Sequence, residues 1–453
     1  MLLYFSLANW GMVRDELNLS MIAQREQAHE NRLRPLLKFK KRVLPVAAIY
    51  GPNASGKTTI IEAIQFAKEF VLVGPRDRNE RIARQYYRLD KAYRDEPSRF
   101  SFIFAFEESV YEYSFAVNDV EVVSESLKRI SPNSEKVIFN REGQKGEILS
   151  KPLKDSHYAQ AYVDGCAPNK LYITNLMSQG NQALSFVYQW FANIQILTPN
   201  QVFGGFAQYS QKQSLLSQTG SAFFNHLNTG ICGFNEKEIV AERFPIPEEM
   251  KKQLQSNPSS PVSIRTVMGD LYVACWDSEK HKVRLYQINT VHKATDGSEI
   301  DFNVSSESDG TRRLMDLLPM FLGLHGSNQN KQSGICFVDE IDRSLHPLLL
   351  KRVLNDYLST LNTDFSTQLI FTTHNAELID QDILRRDEIL FLEREENGDC
   401  VLSKLSDFRD EKGNAVRFDS LIHKRYLRGD FGGVPELPFV NLFELMDAER
   451  SDQ

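Results

Sequence analysis

The run Gly51, Pro52, Asn53, Ala54, Ser55, Gly56, Lys57, Thr58 fits the pattern G-x-x-x-x-G-K-[ST], whose chemistry is the cradling of a polyphosphate. Its glycines let the backbone wrap an anion, and the N–H groups of residues 53 to 57 would face a β-phosphate at the positive end of the following helix. Lys57 would bridge β- and γ-phosphate oxygens, and the Thr58 hydroxyl would ligate Mg²⁺, with Thr59 completing the binding set. About 280 residues later, Asp339 and Glu340 end the apolar run ICFVDE. Adjacent carboxylates there cost stability unless a cation uses them, and the carboxyl ends of strands are where open α/β sheets bind ligands. Asp339 would hold Mg²⁺ through water, and Glu340 would polarise an attacking water. His374 follows the apolar run QLIFTT. Alone it reads as a boundary residue; beside the other groups it reads as a γ-phosphate sensor. The polar turn SSESDGTRR, Ser305 to Arg313, precedes a helix. It is an ordinary capped start or a second anion site by the same backbone physics.

These groups need a scaffold, and the flanking sequence supplies one. Leu2–Leu7 and Val43–Tyr50 read as strands, the second leading straight into the glycine-rich loop. Thr58 to Val73 carries Ile61, Ile64, Ala67 and Phe70 at helical spacing. Phe100 to Val123 alternates with period two, which predicts a three-stranded antiparallel meander, and KVIFNR from Lys136 adds a strand. Asp155 to Met250 has mixed apolar periodicity and reads as a helical insertion. Alternation returns from Val262 to Phe302. A helix from Gly310 to Leu324 and the strands at Gly334 and Gln368 follow, then a polar tail from Phe408 with a glycine-rich FGGVP. The expected organisation is an amino-terminal lobe (1–130), a largely helical insertion (131–260) that is either a plain lid or a region for oligomerisation or partner binding, a carboxy-terminal lobe (261–407) and a tail (408–453).

Composition narrows the class. At 453 residues the chain allows about three domains of roughly 150 residues, or one with a large insertion. With 42% hydrophobic and 25% charged residues it is neither disordered, collagenous nor membrane-embedded. A net charge of −7 excludes a uniformly basic nucleic-acid coat and leaves room for a local patch. Two basic runs qualify: RLRPLLKFKKR from Arg32 to Arg42, and the arginines at 76, 78, 81, 84, 88 and 94, which acids interleave. DNA contact and docking of a protein partner are both open for them. Five scattered cysteines suggest neither a zinc site nor a disulfide framework, and the opening apolar stretch is too short to span a membrane. A cytoplasmic protein without membrane contact is expected.

Taken in order, the four motifs resemble the ATP-binding-cassette ATPases, specifically the soluble branch shared with SMC-type and OLD-family proteins. GPNASGKT resembles Walker A, ESDGT (Glu307 to Thr311) the signature motif, ICFVDE Walker B, IDRSLHP the D-loop and His374 the switch histidine. The resemblance implies an α/β fold: a P-loop NTPase head with a mixed sheet, an antiparallel β-meander and a helical insertion. It also implies ATP and Mg²⁺ as cofactors and ATP hydrolysis with Lys57, Glu340 and His374 as catalytic groups. Ser308 and Gly310 keep the hydroxyl and amide that would touch the γ-phosphate from the partner head, although Asp309 stands where transporters carry glycine. Gln85, in ARQYYRLD, is the candidate for the metal-contacting glutamine loop. The phrases SESL at Ser124, ESDGTRRL and YLRGDFGGVP further resemble AAA-type ATPases of prokaryotic abortive-infection and anti-phage loci, such as the PARIS and AbiL types. There the ATPase would assemble as a dimer or higher oligomer, answer a phage-derived trigger and control a separately encoded toxin or nuclease. The other implied class is an SMC-like DNA-repair or DNA-end-processing ATPase with DNA lying across the dimer heads.

Overall fold

The computed structural model describes residues 1–156, 158–199, 220–227, 229–240, 244–258, 261–329, 333–395, 397–409 and 422–432. The five residues of Val46–Tyr50 are all buried, as a central parallel strand covered on both faces requires. It lies in a six-stranded sheet ordered Ile194–Leu197, Gly334–Val338, Thr367–Thr373, Val46–Tyr50, Ile389–Arg394, Cys400–Lys404. The first five strands run parallel and the last is antiparallel. Because Val46–Tyr50, Gly334–Val338 and Thr367–Thr373 point the same way, the loop at Gly51, the acids at 339 and 340, and His374 all leave the sheet at one edge. Parallel pairing thus brings together motifs hundreds of residues apart.

A seven-stranded antiparallel sheet stands against the first, ordered Lys145–Ile148, Ser134–Glu142, Val122–Ser131, Ser109–Val117, Ser98–Phe106, Leu2–Ala8, Leu17–Ser20. The expected meander is present and continues past residue 130 to Ile148. The helix Lys57–Leu72 buries Ile60, Ile61, Ile64 and Ala67. Its Phe66 lies 4.6 Å from Trp10 and 5.5 Å from Phe100, ring to ring, so it seats against the antiparallel sheet. The two sheets are also joined by one side chain. The Gln368 amide accepts from the Leu2 N–H at 2.6 Å and donates to the Leu2 and Leu44 carbonyls at 3.0 and 3.1 Å.

Within residues 155–250, the run read as helical, two stretches are strands, and the meander strands Ser134–Glu142 and Lys145–Ile148 also fall inside the expected insertion 131–260. Helices do occupy Ala159–Asp164, Tyr172–Ser178, Ser185–Ala192, Ser221–His226 and Glu248–Ser256. Ile194–Leu197, however, is an edge of the parallel sheet, paired with Ile335–Val338. Ile231–Ile239 lies along Lys282–Lys293 in a separate five-stranded antiparallel sheet with Leu271–Asp277, Val262–Arg265 and Glu299–Asn303. Both runs are short or charge-rich, and each takes its conformation from a strand distant in sequence, which local periodicity does not register. The SESL phrase places Glu125 wholly buried, accepting from Tyr113 Oη at 2.9 Å and from the Tyr172 N–H at 2.6 Å.

The segment read as a polar tail also contributes to the core. Tyr426, in the helix Ile422–Leu427, stacks on Phe391 at 5.2 Å and meets Tyr50 edge-on at 5.9 Å, while Phe431 stacks on Phe391 at 5.7 Å. The rest of that tail, 410–421 and 433–453, and residues 200–219 and 241–243 of the insertion lie outside the described residues. Among the described residues no helix is long and apolar enough to cross a membrane.

Candidate functional site

The loop between Tyr50 and Lys57 is shaped by close approaches and left-handed backbone. A Cβ on Gly51 would meet the Leu392 carbonyl and Ser55 Oγ, each at 2.6 Å, and Gly56 sits at φ +105°. Only glycine meets both demands without strain. The helix begins at Lys57 with no side chain capping it, so its first N–H groups face the loop. Ser55 Oγ is buried without a hydrogen-bond partner. The Lys57 ammonium donates to the Gly51 and Pro52 carbonyls at 2.6 and 2.8 Å. Burial lowers its pKa to about 8, opposed by the carboxylates of Asp339, Glu340 and Asp342. Unspent backbone donors, an orphaned buried hydroxyl and a half-desolvated cation are a donor set suited to a phosphate chain.

Facing this loop, Asp339 is almost fully buried and accepts from two hydroxyls, Thr58 Oγ1 at 2.9 Å and Thr372 Oγ1 at 2.6 Å. Glu340 is left-handed at φ +46°, an uncommon state for a residue with a side chain. Its N–H donates to Thr372 Oγ1 at 2.8 Å, and Arg313 donates to the Asp339 and Glu340 carbonyls at 3.1 and 3.0 Å. The Glu340 carboxylate lies 4.0 Å from His374 Nε2. Burial, and then the nearby Lys57 charge, hold the His374 pKa below its ordinary value, which favours the neutral ring. Lys57, Thr58, Glu340 and His374 share a cavity of about 370 Å³ with Met12 and the loop. Thr58 and Asp339 offer two oxygens side by side. Mg²⁺ characteristically takes one or two protein oxygens and fills its octahedron with phosphate and water, so this pair suits it. Among the described residues no group of three His, Cys, Asp or Glu side chains could hold a metal.

The other candidates lie elsewhere. Ser308 Oγ accepts from the Thr311 N–H at 3.1 Å and lies 2.9 Å from the Thr311 hydroxyl, at the start of the helix Asp309–Gln329. A Cβ on Gly310 would meet the Ser344 carbonyl at 2.7 Å, so the glycine lets this helix approach the turn after Glu340. Neither Ser308 nor Gly310 lines the cavity. Gln85 is exposed and also absent from the lining, although its carbonyl accepts from the Gly11 N–H at 2.5 Å, and a Cβ on Gly11 would press on Thr59. Of the basic runs, Arg32 is buried against Glu388 at 2.5 Å, Arg34 donates to the Phe365 carbonyl, and Arg81 and Arg84 pair with Asp119. Sequence reading missed Thr372, Arg313 and Met12. A threonine two residues before the histidine is the one local signal for the first; the other two carry none.

A family model described as "AAA domain, putative AbiEii toxin, Type IV TA system" matches residues 46–170 and 182–380. Solved structures similar to this chain include the SMC head domain from Thermotoga maritima, 13% identical, covering 89% of this chain and 98% of that one with a TM-score of 0.36. Another is an SmcHead bound to the C-winged helix domain of ScpA, 12% identical, covering 89% and 96% with a TM-score of 0.35. No curated protein matches the sequence.

Proposed function

We propose, from the premise that this chain belongs to the family of AAA domains described as putative AbiEii toxin, Type IV TA system, that it is an ATPase. On this reading ATP gates its assembly, and it controls a separately encoded toxin or nuclease in anti-phage defence. The observation that carries the proposal is a division of labour. Lys57, Thr58, Glu340 and His374 line one cavity, with Asp339 bonded to Thr58 beside it, while Ser308 and Gly310 of the same chain sit outside that lining and have no such bond to it.

Bound Mg²⁺-ATP supplies the γ-phosphoryl group as electrophile. The chain's own residues do the rest, by positioning and charge. Lys57 exchanges its two loop carbonyls for phosphate oxygens. Thr58 and Asp339 would hold Mg²⁺. Glu340 orients a water through its carboxylate and takes its proton, and neutral His374 donates from its ring N–H toward the γ-phosphate. Ser308 and Gly310 come from a second copy, which makes ATP the glue of a dimer or higher oligomer. The family description and the abortive-infection resemblance support an effector partner and a phage-derived trigger. The test is to express tagged Glu340→Gln protein with its neighbouring genes and ATP, then identify and size what co-purifies. A stoichiometric neighbour-encoded toxin or nuclease supports the reading. A homo-oligomer eluting alone or with nuclease-sensitive DNA overturns effector control and favours DNA processing.

A further inference from the structure

The basic run Arg32–Arg42 is only partly consumed by the fold. Arg32 and Arg34 turn inward, Lys38 pairs with Glu108 and Arg42 with Glu30. Arg25, Lys40 and Lys41 are left exposed, and none of these three side chains makes an ion pair or hydrogen bond among the described residues. They converge on a concavity of about 600 Å³. Its walls are the strand Leu17–Ser20 with the segment to Arg25 after it, residues Lys40 to Arg42 of the hairpin of Arg34–Leu36 with Lys41–Val43, and the strands Ile389–Arg394 and Cys400–Lys404.

Three features make this more than a solvated face. Lys40 occupies the hairpin turn at φ +53°, a left-handed position that glycine would take without strain. The one acid in the lining, Asp407, is already engaged, accepting from Gln24 Nε2 at 2.6 Å and from the Lys404 N–H at 3.2 Å. The ring of Tyr4 stands 39% exposed at the rim, where it offers a stacking face. The concavity is also separate from the phosphate loop. Cys400 lies under that loop, with Sγ donating to the Ser55 carbonyl at 3.4 Å, and Lys404 is four residues along the same strand, roughly 13 Å away at the usual rise.

We infer that this concavity binds the phosphodiester backbone of nucleic acid without reading its sequence, through Arg25, Lys40 and Lys41. Unpaired cations lining a groove with an exposed aromatic are the usual means of doing so. The site is independent of ATP hydrolysis, and the inference stands or falls apart from the function proposed above.

The test is fluorescence anisotropy of labelled single-stranded and duplex oligonucleotides on the full chain across a salt series. Three phosphate contacts predict a log–log salt slope of about −2 for single strands or about −2.7 for duplex. The triple variant Arg25→Glu, Lys40→Glu, Lys41→Glu should lose at least about tenfold in affinity and flatten the slope. Its circular-dichroism melt and its nucleic-acid-free ATP turnover should stay as in the parent, because all three side chains are exposed. Unchanged binding by a folded triple variant overturns the inference. So does absence of oligonucleotide binding at low salt, or polyglutamate binding as tightly as the oligonucleotide, which would point to an acidic protein instead.

Discussion

Thr372 Oγ1 donates to Asp339 Oδ1 at 2.6 Å while accepting the Glu340 N–H at 2.8 Å, so one buried hydroxyl fixes both acids of the site. It sets the rotamer of the carboxylate that faces Thr58 and holds the left-handed backbone that aims Glu340. Replacing it with valine removes the donor and strands a buried N–H, at a cost of about 1–3 kcal/mol. Thr372→Val should therefore lower kcat and raise the Mg²⁺ concentration for half-maximal turnover by about tenfold, with Thr372→Ser restoring both. An unchanged Mg²⁺ titration in a folded Thr372→Val protein contradicts this role.

Glu340→Gln keeps the shape of the side chain and removes its ability to take a proton. The expected outcome is slow or absent hydrolysis with ATP retained, and a dimer or larger species in light scattering that disperses when ATP is withdrawn. A monomer at saturating ATP would count against assembly through nucleotide.

Lys57 supplies the pH dependence. Its pKa of about 8 in the nucleotide-free protein lies below the ordinary lysine value because burial disfavours the charge. A bound polyphosphate would favour the charged form and raise it again. Binding above pH 8 must then take up a proton, and affinity should fall as pH rises through that value, approaching about tenfold per unit. Calorimetry in buffers of different ionisation enthalpy reads the uptake directly. Lys57→Ala should abolish nucleotide binding across the whole range.

If Ser308 acts on a partner's nucleotide, subunits can complement one another. Lys57→Ala and Ser308→Arg should each be inactive alone. A random mixture of the two should recover roughly a quarter of parental turnover, since half the two-fold dimers then carry one intact site. A mixture as inactive as its components would show that the two residues do not share a composite site.

Motifs whose function needs residues close in sequence were the most legible. Gly51 to Thr58 is a strand, a loop and a helix start in direct succession, and its geometry follows from glycine and the buried strand before it. Asp339 and His374 were legible as ends of apolar runs. That they share an edge with Gly51 depends on the parallel order of three strands, which no local pattern encodes. Thr372 shows only as a threonine two residues before His374, because its partners, Asp339 and Glu340, follow the neighbouring strand. Ile231–Ile239 was read as helical because its strand character comes from the long partner Lys282–Lys293. Tyr426 and Phe431 looked like parts of a polar tail, although their aromatic rings complete the packing around Phe391.

The amide of Gln368 makes the pattern of bonds with Leu2 that a neighbouring peptide group would make, and it does so from within the central parallel sheet. It is a splice: a side chain standing in for backbone so that one sheet borrows an edge of the other. Sliding between the two sheets would break both buried hydrogen bonds to Leu2 at once, so they should turn as one body. Whatever motion nucleotide drives must be taken up away from that splice, and the small core of Ile246, Leu254 and Leu285 is a cluster separate from the one the splice runs through.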